Sequence, residues 1–564
     1  MSQKVLMIVY DNGSYDNVFP MGVGALCAIL KRDGHEFEIW NQDIHHSPDD
    51  GLRTYLDENK FDVVVFSLIA GYYQYQKMKS LSKAINSSKN RPFYVMGGYG
   101  PTPEPEFFIK KTGCDAVCMG EGEITIAKLM EAIENKKSLD TVPGIAWLED
   151  GKLKKTPRAS LVHNLDSLPL IPYEKFPMHH YRMLRLPKSA TTDFCFPLMS
   201  ARGCSFKCTF CYRMDPGYRM RTPEPMLDEI EKLYKDYGIT YIAFQDDLLM
   251  SSVEHTEAVC LEFLKRDLPV KWNCNGRLNY CSEELLQLMN DAGCVFINYG
   301  IESMDQKVLN NMKKGLRPEM IIQGIEDTLK VGISPGLNII FGNIGDSRET
   351  IQQTVDFLLK YDDFAQKRTI RPVTPYPGSP LYYEAIKRGL LDKDNPAEDF
   401  YENKHLNSDL ICCNFTELSD EEYYECLRWA NSTLMKNYYD KQRNSTLAQI
   451  DHLYKEKDAS FRGFRHNTGK EGQAGEHFNI KSKAKTIAIE GNEIMDGLVN
   501  WEASETADAE RFSQEANGAN KSKNLKSFDV YLKRKENRAA ARKAARPKVT
   551  NPKKQPLEKE VLTT

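Results

Sequence analysis

The chain lacks a long apolar run. Its most continuous apolar stretch, Phe61 to Tyr73, contains Asp62 and falls far short of the ~20 residues a spanning helix needs, so no membrane span is expected. It also lacks a secretory signal: Lys4 is followed at once by Val5-Leu6-Met7-Ile8-Val9, without a basic region, a long apolar core or a small-residue cleavage site. Charge of one sign is missing as well. Lys and Arg number 75 against 79 Asp and Glu, a net charge of −4, which gives no global attraction to nucleic acid or anionic membrane. Cysteine is absent from the end of the chain, since all 14 lie between Cys27 and Cys426. The chain therefore reads as cytoplasmic, where thiols stay reduced and clustered cysteines point to metal or catalysis rather than to disulfides.

What is present divides into unlike parts. At ~150 residues per domain, 564 residues make roughly three or four domains. Over 1–145, short apolar runs (Val5 to Tyr10, Glu36 to Trp40, Val63 to Leu68, Phe93 to Met96, Ala116 to Met119) alternate with amphipathic stretches. That rhythm predicts a doubly wound parallel sheet of Rossmann type, which binds ligands beyond the carboxyl ends of its strands. A Pro-rich linker over 146–190 leads to six more candidate strands over 191–400, from Phe196 to Ser200 through Thr369 to Val373. Six βα units predict a partial (β/α)6 barrel, with reactive groups at the strands' carboxyl ends. Residues 401–455 read as a helical extension. From Asp451 to Thr564, Ile, Leu, Val and Phe number 19 of 114 residues, below the ~20% at which a segment struggles to fold. Residues 456–564 are thus expected to form a disordered basic tail, either solvated or a partner-binding arm.

The decisive pattern is Cys204-Ser-Phe-Lys-Cys208-Thr-Phe-Cys211-Tyr212, immediately after the first barrel strand. Closed tetrahedral zinc sites take four protein ligands, and no fourth Cys or His stands close by. A 4Fe-4S cluster held by three thiolates leaves one iron open.

This motif, with the aromatic Phe210 before its last cysteine and Tyr212 after it, resembles the signature of the radical S-adenosyl-L-methionine (SAM) superfamily. The likeness extends through the barrel. Gln245-Asp246-Asp247 is similar to the family's second-strand contact to the methionine part of SAM, and Glu302-Ser303 to its fourth-strand motif. Gly342 ends a segment resembling the fifth-strand motif, and Arg277 lies beyond the third strand, where it is placed to pair with a carboxylate. Local roles compete with these: Asp246 and Asp247 suit a helix cap, and Gly342 suits a turn.

The first domain resembles cobalamin-binding domains, whose pattern is D-x-H-x-x-G, then S-x-L, then G-G. Gly24, Ser67 and Gly97-Gly98 keep that spacing, but Phe19 stands in the place of the Asp and Met21 in the place of the cobalt-ligating His. The resemblance is to cobalamin-dependent radical SAM enzymes that hold the cofactor without a histidine from this motif, with Gly120-Glu121-Gly122 as a further cofactor loop. It implies a 4Fe-4S cluster, SAM and cobalamin as cofactors and a low-potential electron donor such as ferredoxin or flavodoxin. The implied reaction is methylation of an unactivated carbon of a small-molecule substrate. Three alternatives stand beside it: radical cyclisation or rearrangement without methyl transfer, a tRNA methylthiotransferase-like enzyme, and a non-catalytic cobalamin or Fe-S sensor. The methylthiotransferase reading needs a second three-cysteine set, for which the first domain offers only Cys27, Cys114 and Cys118.

Overall fold

The computed structural model describes residues 2–457 except 14–17, 70, 185, 191 and 216. The basic tail expected over 456–564 lies almost wholly outside the described residues. No helix among those described is long and apolar enough to cross a membrane.

The first domain is built on a seven-stranded sheet. Strands β1 (Lys4–Val9), β2 (Glu36–Asn41), β3 (Val63–Ser67), β4 (Phe93–Gly97) and β5 (Ala116–Cys118) are followed by β6 (Ile145–Glu149) and β7 (Lys152–Lys155), in the order β2-β1-β3-β4-β5-β6-β7. The first five are parallel. Helices cover both faces of β1 and β3, so those strands read as unbroken apolar runs rather than alternating ones. The strand order reverses at β1, and the crevice opens at the carboxyl ends of β1 and β3. The expected domain end at 145 is corrected here, because β6 and β7 extend the sheet to Lys155. They pair antiparallel around Asp150-Gly151, both at positive φ, a type I′ hairpin within what had the look of a linker.

The second domain carries β8 (Cys195–Leu198), a short antiparallel ribbon of β9 (Ala201–Gly203) and β10 (Tyr218–Met220), then β11 (Tyr241–Phe244), β12 (Lys271–Gly276), β13 (Cys294–Glu302), β14 (Ser334–Phe341) and β15 (Arg371–Pro372). Apart from the ribbon these form one parallel six-stranded sheet, β15-β14-β13-β12-β11-β8, the half-barrel expected.

An aromatic knot joins the two domains. Phe19 is buried with ring centroids 4.8 Å from Phe176, 5.1 Å from Tyr181, 5.6 Å from Tyr173 and 5.0 Å from Phe196 of β8. The position that carries Asp in the cobalamin motif is therefore occupied here by the hub of the interdomain core. At the other end, Ser419 and Glu422 form a capping box that starts the Asp420–Glu456 helix. Its buried residues run from Tyr423 to Tyr438. Before it, Glu402 accepts a hydrogen bond from Tyr75 (2.6 Å) and pairs with Lys79 (3.1 Å) and Lys111 (2.7 Å), tying the extension back to the first domain. The two lysines and Tyr75 hold the Glu402 carboxyl at about 2, against the upward push of its partial burial.

Candidate active site

The three thiols lie on the loop that the β9–β10 ribbon closes. Gly203 (φ +81°) is required there, since a Cβ would sit 2.4 Å from the Gly217 carbonyl oxygen. Backbone bonds pin the loop: Thr209 N donates to Met312 O (3.0 Å) and Leu381 N donates to Thr209 O (2.9 Å). Cys208 is buried, and Cys204 and Cys211 are partly so. Among the described residues no three His, Cys, Asp or Glu converge on a point where one metal ion would sit. In a 4Fe-4S cluster each thiolate holds a different iron, so its ligands stand apart around a cube.

Two cations face this loop. Arg277, just past β12, places its guanidinium 3.5 Å from the Phe206 ring centroid and Nη1 3.7 Å from Cys208 Sγ, and also donates to the Lys314 carbonyl. Lys314 Nζ lies 2.9 Å from Glu302 Oε1, both side chains buried, and 5.6 Å from the Phe210 ring centroid. Glu302 holds a left-handed backbone (φ +72°) at the end of β13, a conformation that costs a non-glycine residue energy and marks functional sites. The Cys208 thiol is held below its usual range, chiefly by a hydrogen bond from Cys211 with help from Lys314 and Arg277 against burial. Donating that bond, together with burial, pushes Cys211 up. Burial pushes Cys204 up as well, so of the three thiols the lowered one is that of Cys208.

Beside the loop is a cavity of about 350 Å³ that spans both domains. From the first domain it is lined by Met21, Ser67, Gly97, Gly98 and Gly120-Glu121-Gly122, and from the second by Gly203, Gln245, Asp246 and Asp247. The glycines make a cradle of bare backbone. Gly98 (φ +98°) would put a Cβ 2.5 Å from Leu68 O, and Gly120 (φ +99°) would put one 3.3 Å from Asp215 Oδ2. A large planar ring system can lie against such a surface, so the residues present fit a corrin.

Several residues singled out in the sequence have other surroundings. Gly24 does not line the cavity; it packs under the connector, its would-be Cβ 3.0 Å from Ile171. The carboxylate of Asp246 accepts from Ser200 N (2.7 Å), Ala201 N (2.8 Å) and the Ser200 hydroxyl, clamping β8 to β11. Burial raises it to about 6. It caps no helix, and its carboxylate is engaged by the strand ends. Asp247 is exposed toward the cavity and accepts from the Gly203 backbone. Ser303 is fully buried and accepts from Asp305 N (3.1 Å). Gly342 (φ +87°) donates to Asp346 (2.9 Å) beneath Tyr423, a turn role. Tyr212 packs edge-on to Tyr99 (5.9 Å) and against Gly378, so it is a wedge between domains.

An ionic joint between the two halves has no counterpart among the sequence motifs. Arg202 and Arg219 face each other across the ribbon and both reach Glu121, at 3.1 Å from Arg202 and 3.0 Å from Arg219, while Arg202 also pairs with Glu123 at 2.6 Å. Burial would raise Glu121, but the two guanidiniums more than offset it and hold it below the usual carboxylate range. The alternation in Ala201-Arg202-Gly203 and Tyr218-Arg219-Met220 is the only local signal of this pairing. Lys314 was equally hidden, because nothing in Lys313-Lys314-Gly315 says which lysine turns inward. Cys27 and Cys114 are buried in separate cores and Cys118 sits by the cavity, so the first domain assembles no second three-thiol set.

Comparison with known proteins adds to this geometry. The model of the radical SAM superfamily matches residues 198–358, and that of the B12 binding domain matches residues 10–130. The chain is 29% identical over 384 residues to an uncharacterised methyltransferase of Pyrococcus horikoshii, covering 66% of this chain and 79% of the relative. It is 27% identical to the cytidylyl-2-hydroxyethylphosphonate methyltransferase of Streptomyces wedmorensis, covering 68% and 80%. It is also 27% identical to the anaerobic magnesium-protoporphyrin IX monomethyl ester cyclase of Rubrivivax gelatinosus, covering 65% and 66%. In fold it resembles the cobalamin-dependent SAM radical enzyme OxsB (TM-score 0.62, 16% identity, 80% of this chain and 73% of that one). The radical SAM methyltransferase TsrM from Kitasatospora setae is similar too (TM-score 0.57, 19% identity, 69% and 75%).

Proposed function

The chain is a B12-binding radical SAM enzyme, and from that premise we propose that it transfers a methyl group to an unactivated carbon of a small molecule. When bound, the cluster supplies the electron that splits SAM into methionine and a 5′-deoxyadenosyl radical, and cobalamin carries the methyl group. Cys204, Cys208 and Cys211 hold the cluster, with Arg277 and Lys314 offsetting the negative charge that three thiolates gather in a partly buried loop. Gln245 and Asp247 bind SAM from the carboxyl end of β11. Glu302 positions Lys314. Ser67, Gly97, Gly98, Gly120 and Gly122 would cradle the corrin through backbone, and Met21, on the same wall, would present an apolar side chain to it where the motif has histidine.

The observation that carries this reading is the single cavity lined at once by the glycine loops and by the residues after β8 and β11. Two cofactors that must act on one carbon need a shared space, and here both binding surfaces open into it. The cyclase among the relatives supports a second reading, radical cyclisation without methyl transfer.

The test is anaerobic reconstitution with iron, sulfide and cobalamin, followed by quantification of both SAM products with cell extract as the source of substrate. Methyl transfer gives 5′-deoxyadenosine together with S-adenosylhomocysteine. Deoxyadenosine alone would favour cyclisation, and neither product would overturn both readings.

A further inference from the structure

Almost every charged side chain on the wall of the shared cavity has a partner. Glu121 pairs with Arg202 and Arg219, Glu123 with Arg202, and Asp215 with Arg158 at 2.8 Å. Asp246 is held by the Ser200 and Ala201 amides, and the exposed Asp247 accepts from the Gly203 backbone. Arg213 is the exception among the cations. Half-buried on the cavity wall, it donates from Nη1 to the Phe206 carbonyl oxygen (2.9 Å), and among the described residues no carboxylate lies within ion-pair distance of it. Its place in the chain fixes where the guanidinium stands. Residues 213–215 run from the thiol loop to the glycine loops: Arg213 bonds to Phe206, which lies between Cys204 and Cys208, Thr102 donates to Met214 Sδ (3.7 Å), and Asp215 faces Gly120. Arg213 therefore sits where the cluster surface meets the corrin surface, and a carbon on which both cofactors act must be held there.

We infer that Arg213 anchors the substrate and that the substrate carries an oxyanion, a carboxylate or a phosphate-type group, an inference that rests on the methyl-transfer reading. A guanidinium offers paired N–H donors in a plane that match the oxygens of such a group. Once ligands fill the cavity and displace water, a cation left there without a counterion is costly, so the molecule that completes the site brings negative charge. SAM does not meet that need. Its ammonium and sulfonium outweigh its carboxylate, so it calls for an acid, which Asp247 supplies on the same wall. Arg277, the other cation beside the thiol loop that suits a carboxylate, is already committed: buried, it donates to Asn279 (3.1 Å) and to the Lys314 carbonyl. The phosphate in the nucleotide tail of cobalamin is a second source of the same charge, and the test separates it from the substrate.

The test passes protein-free cell extract over a quaternary-ammonium resin at neutral pH and assays each fraction with the reconstituted holoenzyme for S-adenosylhomocysteine formed above an extract-free blank. The stimulating activity should be retained by the resin and eluted by salt. Arg213→Gln should need at least tenfold more of that fraction to reach half-saturation, with a smaller change in the plateau rate, and Arg213→Lys should recover part of the loss. Bound iron, and the affinities for SAM and cobalamin read by equilibrium dialysis, should match the native protein in both variants. Stimulating activity in the flow-through, or an unchanged half-saturation in Arg213→Gln, would overturn the proposal. So would a tenfold fall in SAM or cobalamin affinity, which would assign the anion to a cofactor, or a loss of bound iron, which would make Arg213 a brace of the thiol loop. If no fraction raises S-adenosylhomocysteine with the native protein, methyl transfer itself is contradicted and the inference falls with it.

Discussion

The two faces of the cavity are built from different materials. On the first domain's side the surface is largely backbone: Gly97, Gly98, Gly120 and Gly122 line it, and Gly98 and Gly120 hold a positive φ that a side chain would strain. On the barrel side the site is made of charged and ionisable side chains, with Arg277, Lys314 and Glu302 buried around three thiols. A broad ring is recognised by shape, which bare backbone provides; a cluster and a zwitterion are recognised by charge, which needs buried and mutually compensated ions. Glu121 joins the two, since it belongs to a glycine loop yet pairs with both arginines of the thiol ribbon.

This contrast can be broken from either side. The largest effect is expected from Cys208→Ala, which should take bound iron from about four per chain to near none and 5′-deoxyadenosine to background, with cobalamin binding intact. Iron analysis beside the cobalamin absorption spectrum checks it. Next is Gly98→Val. A β-branched residue at φ +98° facing Leu68 O strains the backbone by about 1–3 kcal/mol and forces the Ser67-Leu68 and Gly97-Gly98 loops apart. Cobalamin affinity measured by equilibrium dialysis should weaken at least tenfold, with bound iron unchanged. Lys314→Met leaves Glu302 buried without its partner, a loss of about 3 kcal/mol. The denaturation midpoint should fall, and Glu302→Gln/Lys314→Met should recover part of it.

The last effect appears only on changing pH. The folded-state pKa of Asp246 is raised from 3.8 to about 6, so the folded state favours the protonated acid. Its contribution to stability is full below about pH 4 and is lost as pH rises through 6, by about 3 kcal/mol at most. Asp246→Asn keeps acceptors for the Ser200 and Ala201 amides and should flatten that loss. A stability profile from pH 4 to 7 that is equally steep in both proteins would show that Asp246 is not its source.

Much of the architecture was legible because each strand and helix carries its own period. The apolar runs of β1, β3 and β4 and the spacing of Ser67 and Gly97-Gly98 locate the cradle without structural help. The three cysteines could be singled out because they stand close together in the sequence, on one loop. Contacts between distant segments were not. Asp246 belongs to a pattern for SAM contact, yet its clamp on Ser200 and Ala201 depends on β8 and β11 being neighbours. Gly24 fits the spacing of a cobalamin motif, but the connector residue Ile171 occupies its neighbourhood. The β6–β7 hairpin hid because its Asp-Gly turn lies in a Pro-rich stretch that suggested a linker.

The most direct test of the central claim is the ratio of the two SAM products formed by Gly98→Val under conditions where the native protein makes both. If the backbone-built face serves methyl transfer and the charge-built face serves SAM cleavage, S-adenosylhomocysteine should fall at least tenfold while 5′-deoxyadenosine persists. A proportional fall of both products, or S-adenosylhomocysteine at the native level without bound cobalamin, would contradict the account.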